Sequence, residues 1–393
     1  MISEKNHAIL IKIASYAFMV FLFLMPVFTT RGEGNRFFYL SLILMLVAWF
    51  IKREDFKRLI ADIKVPLLCA SLFLFYYSIS NIWYGNPINT VSTLKHSVYL
   101  LFFLIMINHL VKKYGVLLLH CLIFCSVFSL FILTLIFVDK GTLLTHRLNF
   151  GFYAAPPNVI DLGGYFAIGI ISALIIARET GRHWIYLPAS LLFIGLLLTQ
   201  SRGPLLALIV SAVILLFKFR HLHLKHVMYA ITSFIIIGLF FVLTDYGQEY
   251  SQRLMNAYQQ SFVRFGIWQY AIDVIQQKLW FGWGFEKEIA FKNSLGQSIR
   301  TTHSLYISSF LKGGIIGVML LVGLIIAGLR SAWMRFHQSM ALESMLYLFS
   351  LLFYVTQGMF VIGSPTEFWV LFWLPLGVVM ASRAKVRQVN QPV

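Results

Sequence analysis

VLLLHCLIFCSVFSLFILTLIFV, residues 116–138, runs for 23 positions without an Asp, Glu, Lys or Arg. A hydrocarbon layer about 30 Å thick needs about 20 apolar residues wound as a helix. A run of this length is far beyond the usual core helix and reads as a membrane span. Working outward, similar runs lie near 10–29, 35–51, 65–83, 94–111, 160–178, 184–199, 203–218, 226–244, 304–327, 341–360 and 366–381. Hydrophobic residues make up 59% of the 393 and charged residues 12%, about half the share in soluble domains. The expected fold is therefore an all-α polytopic membrane protein with about twelve transmembrane helices. Residues 1–393 form one integral membrane domain. Helices are required because lipid cannot satisfy an open backbone.

The net charge of +17 would suit a nucleic-acid binder, but its distribution does not. With the N-terminus inside and spans alternating, 19 of the 32 Lys and Arg fall on the inner side, with 6 of the 15 acidic residues. The inner side then carries +13 and the outer side +4, which is the positive-inside pattern. It puts both termini in the cytoplasm. The first apolar run is long enough to span and lacks a small-residue cleavage site, so no cleavable signal peptide is expected. Cys69, Cys121 and Cys125 all fall within apolar runs and read as packed small residues.

One long polar stretch interrupts this pattern, from Asp245 to His303. On the topology above it is a large external loop. Residues from about Gln259 to Leu279 repeat at helical spacing, with Val263, Ile267, Tyr270 and Val274 as the apolar stripe. Arg264, Trp268, Ala271 and Ile275 lie beside it. This reads as an interfacial helix with Trp268 and Tyr270 at headgroup level. Trp280-Phe281-Gly282-Trp283-Gly284 then breaks the helix and offers aromatics to the bilayer surface. Thr301 or Thr302 would cap the next span, leaving His303 at its N-terminus.

Three external residues carry candidate chemistry. Arg202 lies in the turn Thr199-Gln200-Ser201-Arg202-Gly203-Pro204. Pro204 suits a helix start, and Gly203 permits close backbone approach. A short turn holds this Arg at the surface on the side where basic residues are scarce, although a topological charge would look the same. Arg264 could bind headgroup phosphates alone or, with Arg202, clamp a diphosphate, because guanidinium groups match phosphate oxygens bidentately. His303 reads either as an interfacial histidine bonded to a loop carbonyl or as a general base. Neighbouring Arg300 and the positive helix end favour its neutral form. Lys95 and Arg147 are further external cations able to line the same diphosphate pocket, or to be a snorkelling Lys and a solvated loop Arg. His221, His223 and His226 sit in a basic inner loop and read as solvated. Glu286 and Glu288 are a weak acidic pair, and no metal or cofactor site is expected. No Walker loop, dinucleotide fingerprint or zinc spacing occurs.

These motifs together resemble the O-antigen ligase family, a group of polytopic enzymes related to O-antigen polymerases and bacterial O-oligosaccharyltransferases. Thr302-His303-Ser304-Leu305 followed by Lys312-Gly313-Gly314-Ile315-Ile316-Gly317 resembles the family's histidine motif at the end of its periplasmic loop. Thr199-Gln200-Ser201-Arg202-Gly203 resembles its Ser-Arg-Gly turn. Arg264 with Trp268 and Ala271, then Gly282-Trp283-Gly284, resembles the loop pattern before the histidine. The resemblance implies a fold similar to C-type membrane glycosyltransferases, located in the cell inner membrane with a periplasmic active site. It implies inverting, metal-independent transfer of undecaprenyl-diphosphate-linked O-antigen onto lipid A-core oligosaccharide. Arg202 and Arg264 would engage the diphosphate, and His303 would assist the acceptor hydroxyl. The nearest rival is an O-antigen polymerase acting on lipid-linked repeat units. A flippase would call for basic residues in a central cavity, and the spans are nearly free of mid-membrane charge. A structural scaffold would leave the external cations without a purpose.

Overall fold

A computed structural model describes residues 4–141, 147–148, 152–216, 264–292, 296, 298–338 and 340–381. The expected span at 226–244, the first part of the long loop and the three inner-loop histidines lie outside these residues. The described chain is almost wholly helical. In order, the helices are α1 (Glu4–Val27), α2 (Asn35–Ile51), α3 (Arg53–Asp62), α4 (Lys64–Ile79), α5 (Asn81–Tyr84), α6 (Pro87–Tyr114) and α7 (Val116–Phe137). After them come α8 (Val159–Thr180), α9 (Tyr186–Leu198), α10 (Arg202–Leu216) and α11 (264–276). A two-stranded hairpin, β1 (Phe291–Lys292) against β2 (Ser298–Ile299), precedes α12 (Leu305–His337), α13 (Ala341–Phe353) and α14 (Trp369–Met380).

Among the described residues six helices are long and apolar enough to cross a membrane, or seven if α2 and α3, bent by 110°, count as one span. Four more apolar stretches are shorter helices, at His183–Leu198, Arg202–Leu216, Ala341–Phe353 and Trp369–Met380. The sequence thus located the apolar helices but overstated how uniform they are. The run read as 304–327 continues to His337, because the polar residues at its end still find partners. Arg335, for example, is buried and donates to the Val379 carbonyl at 2.9 Å.

Helix α8 is the hub. Its membrane window is 89% buried, and it packs against α7, α9, α10, α13 and α14. Asn158 caps it, accepting from the Ile160 amide at 2.9 Å, a standard Ncap bond. An aromatic cluster of Phe21, Phe38, Phe103 and Trp369 ties α1, α2, α6 and α14 together through tilted and edge contacts with ring centroids 5.0–6.4 Å apart. At one end of the hub, Arg178 forks onto the fully buried carboxylate of Glu343 in α13 at 2.5 and 2.8 Å.

Helix α12 is broken at Gly314, whose φ of 60° and ψ of −159° lie outside helical space. The segment 279–284 fills the break. Ile315 and Ile316 amides donate to the Leu279 and Trp280 carbonyls, and Trp283 and Gly284 amides donate to Leu311 and Lys312. A Cβ on Gly282 would come within 2.5 Å of the Gly314 amide nitrogen and the Lys312 carbonyl. Tyr76 on α4 seals the crossing, donating to the Gly313 and Phe281 carbonyls at 2.8 and 3.2 Å. Backbone fused to backbone in this way fixes the segment after α11 to the helix that follows His303.

Candidate active site

The turn between α9 and α10 is held from three directions. Gln200 adopts a positive φ of 50°. Arg147 donates through Nε to the Thr199 carbonyl at 3.1 Å and through Nη2 to Ser201 Oγ at 3.0 Å. Ser201 Oγ in turn donates to the Val159 carbonyl at the start of α8 at 3.3 Å. Arg202 is then the first residue of α10. Pro204 therefore occupies the third helical position, not the first, and still lies within the opening turn where its missing N–H costs nothing. Gly203 faces Thr356, and a Cβ there would lie 3.0 Å from Thr356 Oγ1. Arg147 stands next to Arg202 as a brace for its turn.

Helix α11 brings Arg264 to the same place. Its buried stripe is Ile267, Ala271 and Ile275, packed on Ile289 and Leu311. Of the stripe read in the sequence, Ile267 is buried, while Tyr270 and Val274 are only partly buried and Ala271 and Ile275 beside it take the centre. The helix packs on the protein's own hairpin and on α12, and Tyr270 meets Phe291 at 5.7 Å. Trp268 spends its indole N–H on the Thr302 carbonyl at 2.9 Å, so it fastens α11 to the residue before His303. The exposed aromatics are Phe265, Trp280 and Phe281.

His303 lies two residues before α12, whose Ncap is Ser304 and not Thr301 or Thr302. Thr302 Oγ1 bonds Ser308 Oγ at 2.8 Å instead. His303 has a φ of 50°, uncommon for a residue with a Cβ. Behind it lies Gly358, where a Cβ would sit 2.6 Å from both Cα and N of His303. Gly358 is held by Gln357, whose Oε1 accepts from the Gly358 amide at 3.1 Å and whose amide nitrogen donates to Asp161.

The three residues influence one another electrostatically. Burial and the Arg202 charge both lower the pKa of Arg264. Burial and the Arg264 charge both lower that of His303 below its ordinary 6.5. Two guanidiniums and an imidazole, from positions 202, 264 and 303, thus share one partly desolvated region. Permanent cations held together there suit an anion with several oxygens. An imidazole kept neutral at pH 7 can accept a proton. Lys95 is exposed on α6, and no contact given for the described residues joins it to this group.

Asp161, Gln357 and Gly358 went unnoticed in the sequence. Asp161 is 1% exposed, and its Oδ2 has no hydrogen-bond partner among the described residues. The signal was available, since a carboxylate inside an apolar run is itself a functional pointer.

Residues 187–322, which include Arg202, Arg264 and His303, match the family model described as O-antigen ligase. A curated O-antigen ligase of Pseudomonas aeruginosa is 28% identical over 116 residues. That alignment covers 29% of this chain and 29% of the relative. Both findings support the O-antigen ligase family. The model's boundaries take in α9 to the middle of α12, so the matched region is the one that carries all three candidate residues.

Proposed function

We propose that this chain is an O-antigen ligase of the cell inner membrane. It would transfer undecaprenyl-diphosphate-linked O-antigen onto lipid A-core oligosaccharide at the periplasmic face. The observation that carries the reading is the bond from the Trp268 indole N–H to the Thr302 carbonyl at 2.9 Å, which fastens the helix that begins at Arg264 to the residue before His303; the Arg202 charge near Arg264 and the Arg264 charge near His303 support it. On this reading the spans number about twelve in a C-type arrangement, with both termini cytoplasmic.

The acceptor hydroxyl oxygen forms a bond to the anomeric carbon as the bond from that carbon to the diphosphate oxygen breaks. Attack from the opposite face inverts the centre. The hydroxyl proton passes to neutral His303, and undecaprenyl diphosphate leaves with the electron pair. Charge grows on the diphosphate as the bond lengthens, and Arg202 and Arg264 stabilise it in place. Removing one such contact typically costs about 2.7–4 kcal/mol of barrier. The diphosphate linkage supplies the driving force, so no nucleotide or metal is required.

Purified protein with lipid-linked O-antigen and lipid A-core, in the presence of a chelator, tests the proposal. Core-linked glycan is expected from the native chain, and none above background from Arg202→Ala, Arg264→Ala or His303→Ala. Full transfer by all three folded variants would sink it. Elongation of lipid-linked repeats with no core-linked product would identify a polymerase instead.

A further inference from the structure

A cleft of about 700 Å³ opens between the segment 285–290, the strand leading from Ser298 to Arg300, and the end of α5. That volume lies within the range of small-ligand sites, about 300–1,000 Å³. Tyr84, Glu286, Glu288, Arg300 and Lys312 supply its functional groups. Arg202, Arg264 and His303 do not line it, but one of its walls leads directly to His303. Arg300 is three residues before His303, at most about 10 Å of extended chain.

Its walls are built, not incidental. Both oxygens of Glu286 accept from α6, one from Asn86 at 2.9 Å and one from Asn89. The Lys312 ammonium donates to the Phe285 carbonyl and lies over the Phe285 and Phe360 rings at 5.3 and 5.7 Å. The Ile289 amide donates to the Arg300 carbonyl at 3.1 Å, joining the two strands. Across the mouth, Glu288 and Arg300 stand 3.9 Å apart, both mostly exposed.

The mixture of charges narrows the ligand. An acyl or polyprenyl tail needs an apolar lining, and this one is polar. A polyanion would meet Glu286 and Glu288 at close range, which is unfavourable. A polyhydroxylated ring fits. Each hydroxyl both donates and accepts, so carboxylates and cations can serve one sugar together. The Tyr84 ring, 40% exposed, offers an apolar face with a polar tip. We infer that this cleft binds a neutral saccharide unit next to the reacting centre. The inference rests on the transferase reading for its role, though not for the binding itself. The unit belongs either to the acceptor oligosaccharide or to the donor glycan.

The test uses the purified full chain with Tyr84→Ala, Glu288→Gln and Arg300→Ala, all at exposed positions outside the proposed catalytic group. Two probes are titrated by saturation-transfer NMR: deacylated core oligosaccharide, and an O-antigen oligosaccharide freed of lipid and diphosphate. The native chain is expected to bind one of them, with about tenfold weaker binding in each variant, the scale of one lost bond to a charged group. In transfer assays KM for that same partner rises by a similar factor while kcat holds, the mark of lost uniform binding. A rise for the core alone assigns the cleft to the acceptor, and a rise for the lipid-linked glycan alone assigns it to the donor. Cleft-dependent sugar binding without any transfer by the native chain would refute the transferase reading and keep the inference. Transfer with unchanged KM in all three variants, or no binding of either probe, would overturn the inference.

Discussion

Gly358→Ala is the smallest change that should separate His303's position from the fold. The glycine has an ordinary φ, so alanine meets no backbone strain there. Its new Cβ would lie 2.6 Å from the Cα and N of His303, about 0.8 Å short of the 3.4 Å where ordinary contact begins. Neither atom belongs to a side chain that can rotate away. Gly358 is tethered through Gln357 to Asp161, so much of the displacement falls on His303, already at φ 50°. Overpacking of this size costs about 1–3 kcal/mol of stability. A shift approaching 1 Å in a reacting group can cost about 10²-fold in rate. The expected result is a folded protein, melting slightly lower, whose kcat for transfer to lipid A-core falls about a hundredfold. Gly203→Ala is the internal control. Its Cβ would meet only Thr356 Oγ1, at 3.0 Å, and a threonine side chain can turn. It should keep kcat within about threefold if displacement of His303 is the cause. Equal rates for Gly358→Ala and the native chain, at full occupancy of the folded state, would refute the claim that His303 is placed by this contact.

Transfer should fall as pH drops through the lowered pKa of His303, because only the neutral imidazole accepts the proton; the acidic limb then lies below 6.5. Arg264→Gln should lower kcat by about 10²–10³ and move that limb upward, with burial still holding it below 6.5; an unmoved limb in a pH–rate profile would contradict the coupling. The same depressed pKa implies that stability declines as pH falls below 6.5, since the unfolded chain then takes up a proton the folded site resists. Arg178→Ala should leave the Glu343 carboxylate buried without its fork, and calorimetric or denaturant unfolding should register a loss of about 3–5 kcal/mol. Gly282→Ala should unseat the segment that fills the break in α12, because its Cβ would strike backbone at 2.5 Å at a φ of 69°; faster proteolysis between α11 and α12, together with lost transfer, is the expected readout.

The apolar helices were legible because hydrophobic length is a one-dimensional property. Residues 116–138, for instance, were read within one residue of α7. The tertiary uses of polar groups were not. Arg147 read either as a cation lining the diphosphate pocket or as a solvated loop Arg, and its two bonds to the Thr199–Ser201 turn depend on a packing that no local pattern encodes. The stripe on α11 was misplaced because the sequence offered a bilayer as the partner, whereas the protein supplies Ile289 and Leu311. Gly358 carried no signal at all, since the backbone it must accommodate is 55 positions earlier in the chain. Asp161 is visible in the sequence as a carboxylate inside an apolar run, but its bond from Gln357, 196 positions later, is not. Arg202, Arg264 and His303 stood out for the opposite reason: each is a charged or titratable group in a polar interruption of the apolar runs, Arg202 in a short turn and the other two in the long stretch from Asp245 to His303.

Bringing like charges together is unfavourable unless something else fixes their positions. Here the fixing is done mostly by main chain. The Arg202 turn is pinned through the carbonyls of Thr199 and Val159, α11 through the Thr302 carbonyl, and His303 through its contact with Gly358. The α11–α12 connection is closed by backbone bonds across Gly314. These constraints hold whether or not an anion is present. Burial lowers the pKa of Arg264, and repulsion from Arg202 lowers it further. A diphosphate binding between them would relieve that repulsion, and the added negative charge of a departing diphosphate would relieve it further. On the proposed reading the framework would favour the charge distribution after bond cleavage over the one before it, and such differential stabilisation is what accelerates a reaction.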